Sequence, residues 1–112
     1  MAPAPRTASQ VVAGVHRELP ISTHATTSRT LLHNESVRVV VFAFDTGEQL
    51  TDHAAARPVL VQLIEGRLRF SVEDEEHELV AGDVVYLAPG VRHALEALEP
   101  SRLTLALIED PG

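Results

Sequence analysis

The sequence predicts an all-β domain, a small antiparallel barrel or sandwich, on three observations. Short apolar runs follow one another through most of the chain, turn-forming residues break them at regular spacing, and no convincing long helix is present.

The elements follow in order. Residues 1–14 form a Pro/Ala-rich arm with little apolar periodicity, so one domain is expected over 15–112, and losing the first ten residues should leave it folded. Gln10 to Leu19 offers a helical turn that Pro20 stops. Ile21 to Leu32 is rich in Thr and Ser, as a partly exposed strand would be, and His33 to Ser36 reads as a turn. Val37 to Asp45 is nearly continuous Val and Phe, consistent with a strand covered on both faces. If Val37, Val39, Val41 and Ala43 face the barrel, then Val40, Phe42 and Phe44 need a second cover. A symmetric second copy suits two phenylalanines better than the Thr/Ser-rich segment does, so a homodimer is expected.

After the turn at Thr46-Gly47-Glu48, Leu50 to Ala56 is ambiguous on propensity alone. Val59 to Ile64 is a second apolar run, closed by Gly66. Arg67 to Glu73 has the clearest period of two, with Leu68, Phe70 and Val72 on one face. Turns at Asp74-Glu75, Ala81-Gly82-Asp83, Pro89-Gly90 and Glu99-Pro100-Ser101 separate four further strands, the last alternating through Leu103, Leu105 and Leu107.

Composition narrows the function classes. The 112 residues suit a single domain with one real core. Sixteen acidic residues against nine basic ones give a net charge of −7, which repels nucleic acid and anionic membranes. Without cysteine there is no disulfide, thiolate metal site or cysteine nucleophile. No apolar run approaches the ~20 residues of a membrane span, and the start lacks a signal-peptide core, so a cytoplasmic protein is expected.

Two ordered motifs carry more information. Gly47, His53 and Gly66 keep one register, and Gly82, Gly90 and His93 keep another, with Pro89 one place out of it and fifteen residues between Gly66 and Gly82. From Gly47 to His93 the chain resembles the cupin superfamily. Its first motif runs Gly, five residues, His, one residue, His, three or four residues, Glu, six residues, Gly. Its second runs Gly, five residues, Pro, one residue, Gly, two residues, His; here the proline is displaced by one place. The resemblance implies an antiparallel jelly-roll β-barrel with one site in its cavity.

It also implies a ligand set for a divalent ion such as iron, manganese, nickel or zinc. His53 and His93 occupy two of the four ligand positions, whereas Ala55 stands at the second His and Val59 at the Glu. Two imidazoles alone make a weak site. If strand parity runs unbroken from an inward His53, then Ala55, Arg57, Val59, Val61 and Leu63 also face the cavity, and none is a good ligand. Gln62 has the wrong parity unless Pro58 marks a bulge, and Gln49 is a remote alternative. Arg57 reads as a solvated strand end or as a contact for a substrate anion. His16, His24, His33 and His77 read as surface or turn residues, and the acidic run Glu73 to Glu76 as a solvated turn without EF-hand spacing.

Three functions stay open. The first is a binding module holding a small, largely apolar molecule among His53, Ala55, Arg57, Val59, Val61 and His93. The second is a metal-dependent enzyme, of dioxygenase or isomerase type, using His53 and His93. The third is a metal-free cyclase- or epimerase-like enzyme with a His base. All three expect His53 and His93 to share one cavity.

Overall fold

The computed structural model describes residues 3–109, apart from the side chains of His16, Glu18, Asp52 and His53. One helical turn, α1 (Val15–Glu18), precedes nine strands. These are β1 (Thr26–His33), β2 (Val37–Phe44), β3 (Gln49–His53), β4 (Val59–Glu65), β5 (Arg67–Val72), β6 (Glu75–Val80), β7 (Val84–Leu87), β8 (His93–Ala97) and β9 (Ser101–Ile108). They form two antiparallel sheets, one ordered β1-β2-β9-β4-β7 and the other β3-β8-β5-β6. This is the expected all-β jelly roll. Among the described residues no helix is long and apolar enough to cross a membrane.

The sheets close on one core. Phe44, Val59, Val61, Leu63 and Leu103 from the larger sheet meet Leu68, Phe70, Leu79, Leu95 and Ala97 from the smaller. Turns place these strands, and Gly66 shows why residue type matters. It has φ of +93°, and a Cβ there would collide with the Ser101 hydroxyl and the Pro100 carbonyl. The Ser101 hydroxyl instead accepts from the Arg67 N–H at 3.0 Å and donates to the Glu99 carbonyl at 2.7 Å. Only glycine lets the β4–β5 turn sit this close to the β8–β9 turn.

The two faces of β2 are the reverse of the sequence expectation. Phe42 stands opposite Leu103 and Ser28, and lines the barrel interior with Val61, Phe70 and Leu95. Phe44 belongs to the same core and stacks on Phe42, ring centroids 5.9 Å apart. Val41 and Ala43 face outward, where Leu19 buries them with help from Val15, Ile21 and Leu31. The bulky rings fill the barrel, and the smaller pair leaves room for an aliphatic cover. Arg102 ties that cover down, its Nε donating to the Leu19 carbonyl at 2.8 Å while its guanidinium pairs with Glu65. The homodimer expectation therefore loses its argument, because Phe42 and Phe44 need no second copy. At the other end of the arm, Ala4 forms a parallel bridge to Asn34.

The parity argument from His53 also fails at one point. Strand β3 ends at His53, residues 54–58 are irregular, and β4 begins at Val59 in the other sheet. A two-residue period does not carry through a change of sheet.

Candidate functional site

The site lies between the sheets at one end of the barrel, where the Gly90–Ala55 backbone bond joins the two motifs, while the bonds of Gly82 and Gly47 tie turns further along the strands. The Gly90 N–H donates to the Ala55 carbonyl at 2.8 Å, the Gly82 N–H to the Leu63 carbonyl at 2.8 Å, and the Gly47 N–H to the Ala97 carbonyl at 2.8 Å. In the β3–β8 ladder His53 is the direct partner of His93, after a register shift that follows Leu50. The His53 side chain lies outside the described residues, so the expectation that both rings share a cavity has only this backbone pairing beside it.

His93 is held on two sides. Its ring is nearly parallel to Phe70, with centroids 6.2 Å apart, and only 6% of the residue is exposed. Its Nδ1 lies 3.1 Å from the Val91 carbonyl. A carbonyl only accepts, so Nδ1 donates and carries the proton of this bond. The contact sets the rotation of the imidazole.

Two adjoining cavities share Phe42, His93 and Leu105 as wall residues. The inner one, about 30 Å³, is closed by Leu50, Val61, Phe70, Leu95 and Leu103. The outer one, about 290 Å³, opens to solvent past Ser28, Arg38, Val40, Ala55, Val59 and Leu107. The larger volume sits just below the range of drug-sized ligand sites. The inner wall is almost wholly aliphatic or aromatic, and Ser28, Arg38 and His93 add polar groups to the outer one.

Of the residues singled out from sequence, Ala55, Val59, Val61 and His93 line these cavities. Arg57 does not: it is exposed, and Glu109 binds its guanidinium. Gln62 is exposed on the outer face of β4, between Val84 and Thr104, so Pro58 does not turn it inward. Gln49 is exposed as well. His24 and His77 are exposed, and His33 is half-buried opposite Arg38 in the β1–β2 register. Sequence reasoning missed Ser28, Arg38, Phe42, Leu105 and Leu107. All but Leu107 and Leu105 lie on β1 or β2, and their orientation follows once the two large rings of β2 are placed inside.

The donor set is a poor fit for a divalent ion. Ala55 and Val59, standing at ligand positions of the family motif, present methyl groups to the outer cavity. Among the described residues no group of three or more His, Asp or Glu side chains is placed to hold a metal. Of the four ligand positions of the motifs only two carry imidazoles, fewer than the three or four protein ligands that fix such an ion.

Residues 40–108, more than half of the chain, match the family of the cupin domain. The chain belongs to the cupin family. This cupin is similar in structure to a conserved protein of unknown function from Streptococcus pyogenes, with TM-score 0.83 and 21% identity, over 100% of this chain and 98% of that one. It also resembles a cupin superfamily protein from Desulfitobacterium hafniense (TM-score 0.81, 16% identity, 92% and 94% covered). A third similar structure is KdgF from Halomonas sp. (TM-score 0.75, 21% identity, 91% and 95% covered). At these identities the likeness concerns the fold. The comparison with curated proteins gives no match.

Proposed function

We propose that this cupin is a binding module for one small, largely apolar organic molecule, seated in the outer cavity against Phe42 and His93. The observation that carries the reading is the replacement of two ligand positions by Ala55 and Val59, whose side chains now form apolar wall. Burial against Phe42, Val59, Leu105 and Leu107 supplies affinity at about 25 cal/mol per Å². The fixed imidazole of His93 gives the wall one buried polar feature that orients the guest.

Two measurements test it. Protein purified without a His tag is expected to carry far less than stoichiometric divalent metal, and a His53→Ala/His93→Ala variant to carry no less than the wild type. Hexanol added in an NMR titration is expected to give saturable shifts at Phe42, His93 and Leu105, abolished in Leu105→Trp. Stoichiometric iron, manganese, nickel or zinc that disappears in the double variant would overturn the reading.

That result would favour the metal-dependent alternative, whose one supporting observation is the direct pairing of His53 with His93 across β3 and β8. No reaction step is assigned through a metal, since the donor set is short by two. A metal-free enzyme with His93 as base draws on the Val91 contact, which fixes the ring for proton transfer at its other nitrogen. Turnover lost in His93→Ala with binding retained would favour it.

A further inference from the structure

We infer that the molecule held in the outer cavity is a small amphipathic carboxylate, its anionic end bound by Arg38 and its apolar body lying against Phe42, Val59 and Leu105. The inference rests on the cavity being a binding site and adds the chemistry of the ligand's head group.

Arg38 reaches the cavity because it shares the inward face of β2 with Val40 and Phe42, and Ser28, opposite Phe42 on β1, lines the same cavity. Other arginines of this acidic chain are neutralised by carboxylates: Arg57 by Glu109, Arg69 by Glu76 and Glu96, and Arg102 by Glu65. Arg38 differs. Its Nη2 donates to the Thr30 hydroxyl at 3.1 Å, and no carboxylate among the described residues pairs with it. What sets Arg38 apart is its place, on the wall of the apolar outer cavity, where among the described residues no carboxylate offsets its charge.

The remaining donors of that planar fork match a carboxylate in shape and charge. The Thr30 contact holds one edge of the group in place, which lowers the cost of ordering it on binding. The Ser28 hydroxyl offers a second donor on the same rim. An apolar tail then points toward Phe42 and Leu105, where little else could satisfy a polar group. The net charge of −7 repels anions at a distance, but salt screens that field within ~8 Å, so the local guanidinium decides the contact.

Hexanoate and hexanamide, equal in chain length and different in charge, separate the two layers of the argument. In an NMR titration of the full chain, hexanoate is expected to bind roughly three- to tenfold tighter than hexanamide, the range of a charge-assisted bond at an exposed site. Arg38→Gln is expected to bring the ratio to about one and leave hexanamide affinity within about twofold, whereas Arg38→Lys keeps part of the preference. Arg67→Gln, on the other sheet, should leave the ratio as in the wild type, and melting curves check that each variant is folded. Equal affinities in the wild type, or a preference that survives Arg38→Gln, overturn the carboxylate inference while the cavity reading stands. If neither probe shifts Phe42, His93 and Leu105, both readings fall together.

Discussion

The two motif regions, Gly47 to Gly66 and Gly82 to His93, depart from the family pattern in different ways. The second keeps its histidine and the brace that aims it, for His93 is stacked on Phe70 and bonded to Val91. The first keeps its glycines, and at Gly66 no other residue fits without moving the β8–β9 turn. Two of its three ligand positions, by contrast, carry Ala55 and Val59. Turn geometry and metal chemistry are thus separable within one motif: backbone clashes constrain the glycines, whereas a side chain facing a cavity is constrained only by what the cavity holds.

The largest expected effect tests the rigid half of that comparison. Gly66→Ala should cost more than about 3 kcal/mol, because a left-handed backbone and overlap with Ser101 and Pro100 add together. Gly82→Ala, with φ of +98° and nothing within 4 Å of the added methyl, should cost only about 1–2 kcal/mol. Chemical denaturation of the two variants checks the difference, and equal losses would mean that φ alone, not crowding, governs both turns.

A middle-sized effect tests the permissive half. Ala55→His combined with Val59→Glu should raise affinity for nickel or zinc by about a hundredfold or more over the wild type, read by calorimetry. Without metal the same variant should melt lower, since Val59 is 1% exposed and a carboxylate there is desolvated. Metal binding as weak as in the wild type would show that the scaffold, and not just the ligand set, has changed.

The smallest effect belongs to the turn that opens the first motif. Asp45 accepts hydrogen bonds from the His24 N–H at 2.7 Å and the Thr46 N–H at 2.9 Å, which hold its carboxyl below the ordinary 3.8. With the folded value depressed, the unfolded chain binds more protons in this range, and stability rises with pH. The contribution is fully present well above 3.8 and is lost as pH falls through the lower folded value. Asp45→Asn should therefore flatten the acid limb of the stability profile slightly; an unchanged limb would assign it to other carboxylates.

Much of the fold is legible because turn chemistry and period-two alternation act locally, as in Arg67 to Val72 and at the positive-φ glycines. What stayed hidden is non-local. Both faces of β2 are apolar, so its orientation depends on Leu19, which arrives from the N-terminal segment, and on β9, some sixty residues away. Arg38 inherited that ambiguity: with the faces exchanged it is an ordinary surface arginine, and Arg57 drew attention as an anion contact. The histidine pair was visible because motif spacing encodes it. The sheet change between His53 and Val59 was not, since Pro58 alone does not separate a bulge from a crossing.

The position of β9 has a consequence for how the chain reaches this fold. It lies between β2 and β4 and joins the β1–β2 hairpin to the β4–β7 pair. During synthesis, at ~5–20 residues per second, Val40, Phe42 and Phe44 wait several seconds for Leu103 and Leu105 to emerge. Through that interval the nascent hairpin has an open edge at β2 and an uncovered aromatic face, the combination that invites pairing with a neighbouring chain. Closing so long a loop late also places this small domain among slow folders, on the millisecond-to-second scale. Translation time through residues 45–108 therefore sets how long that edge stays open.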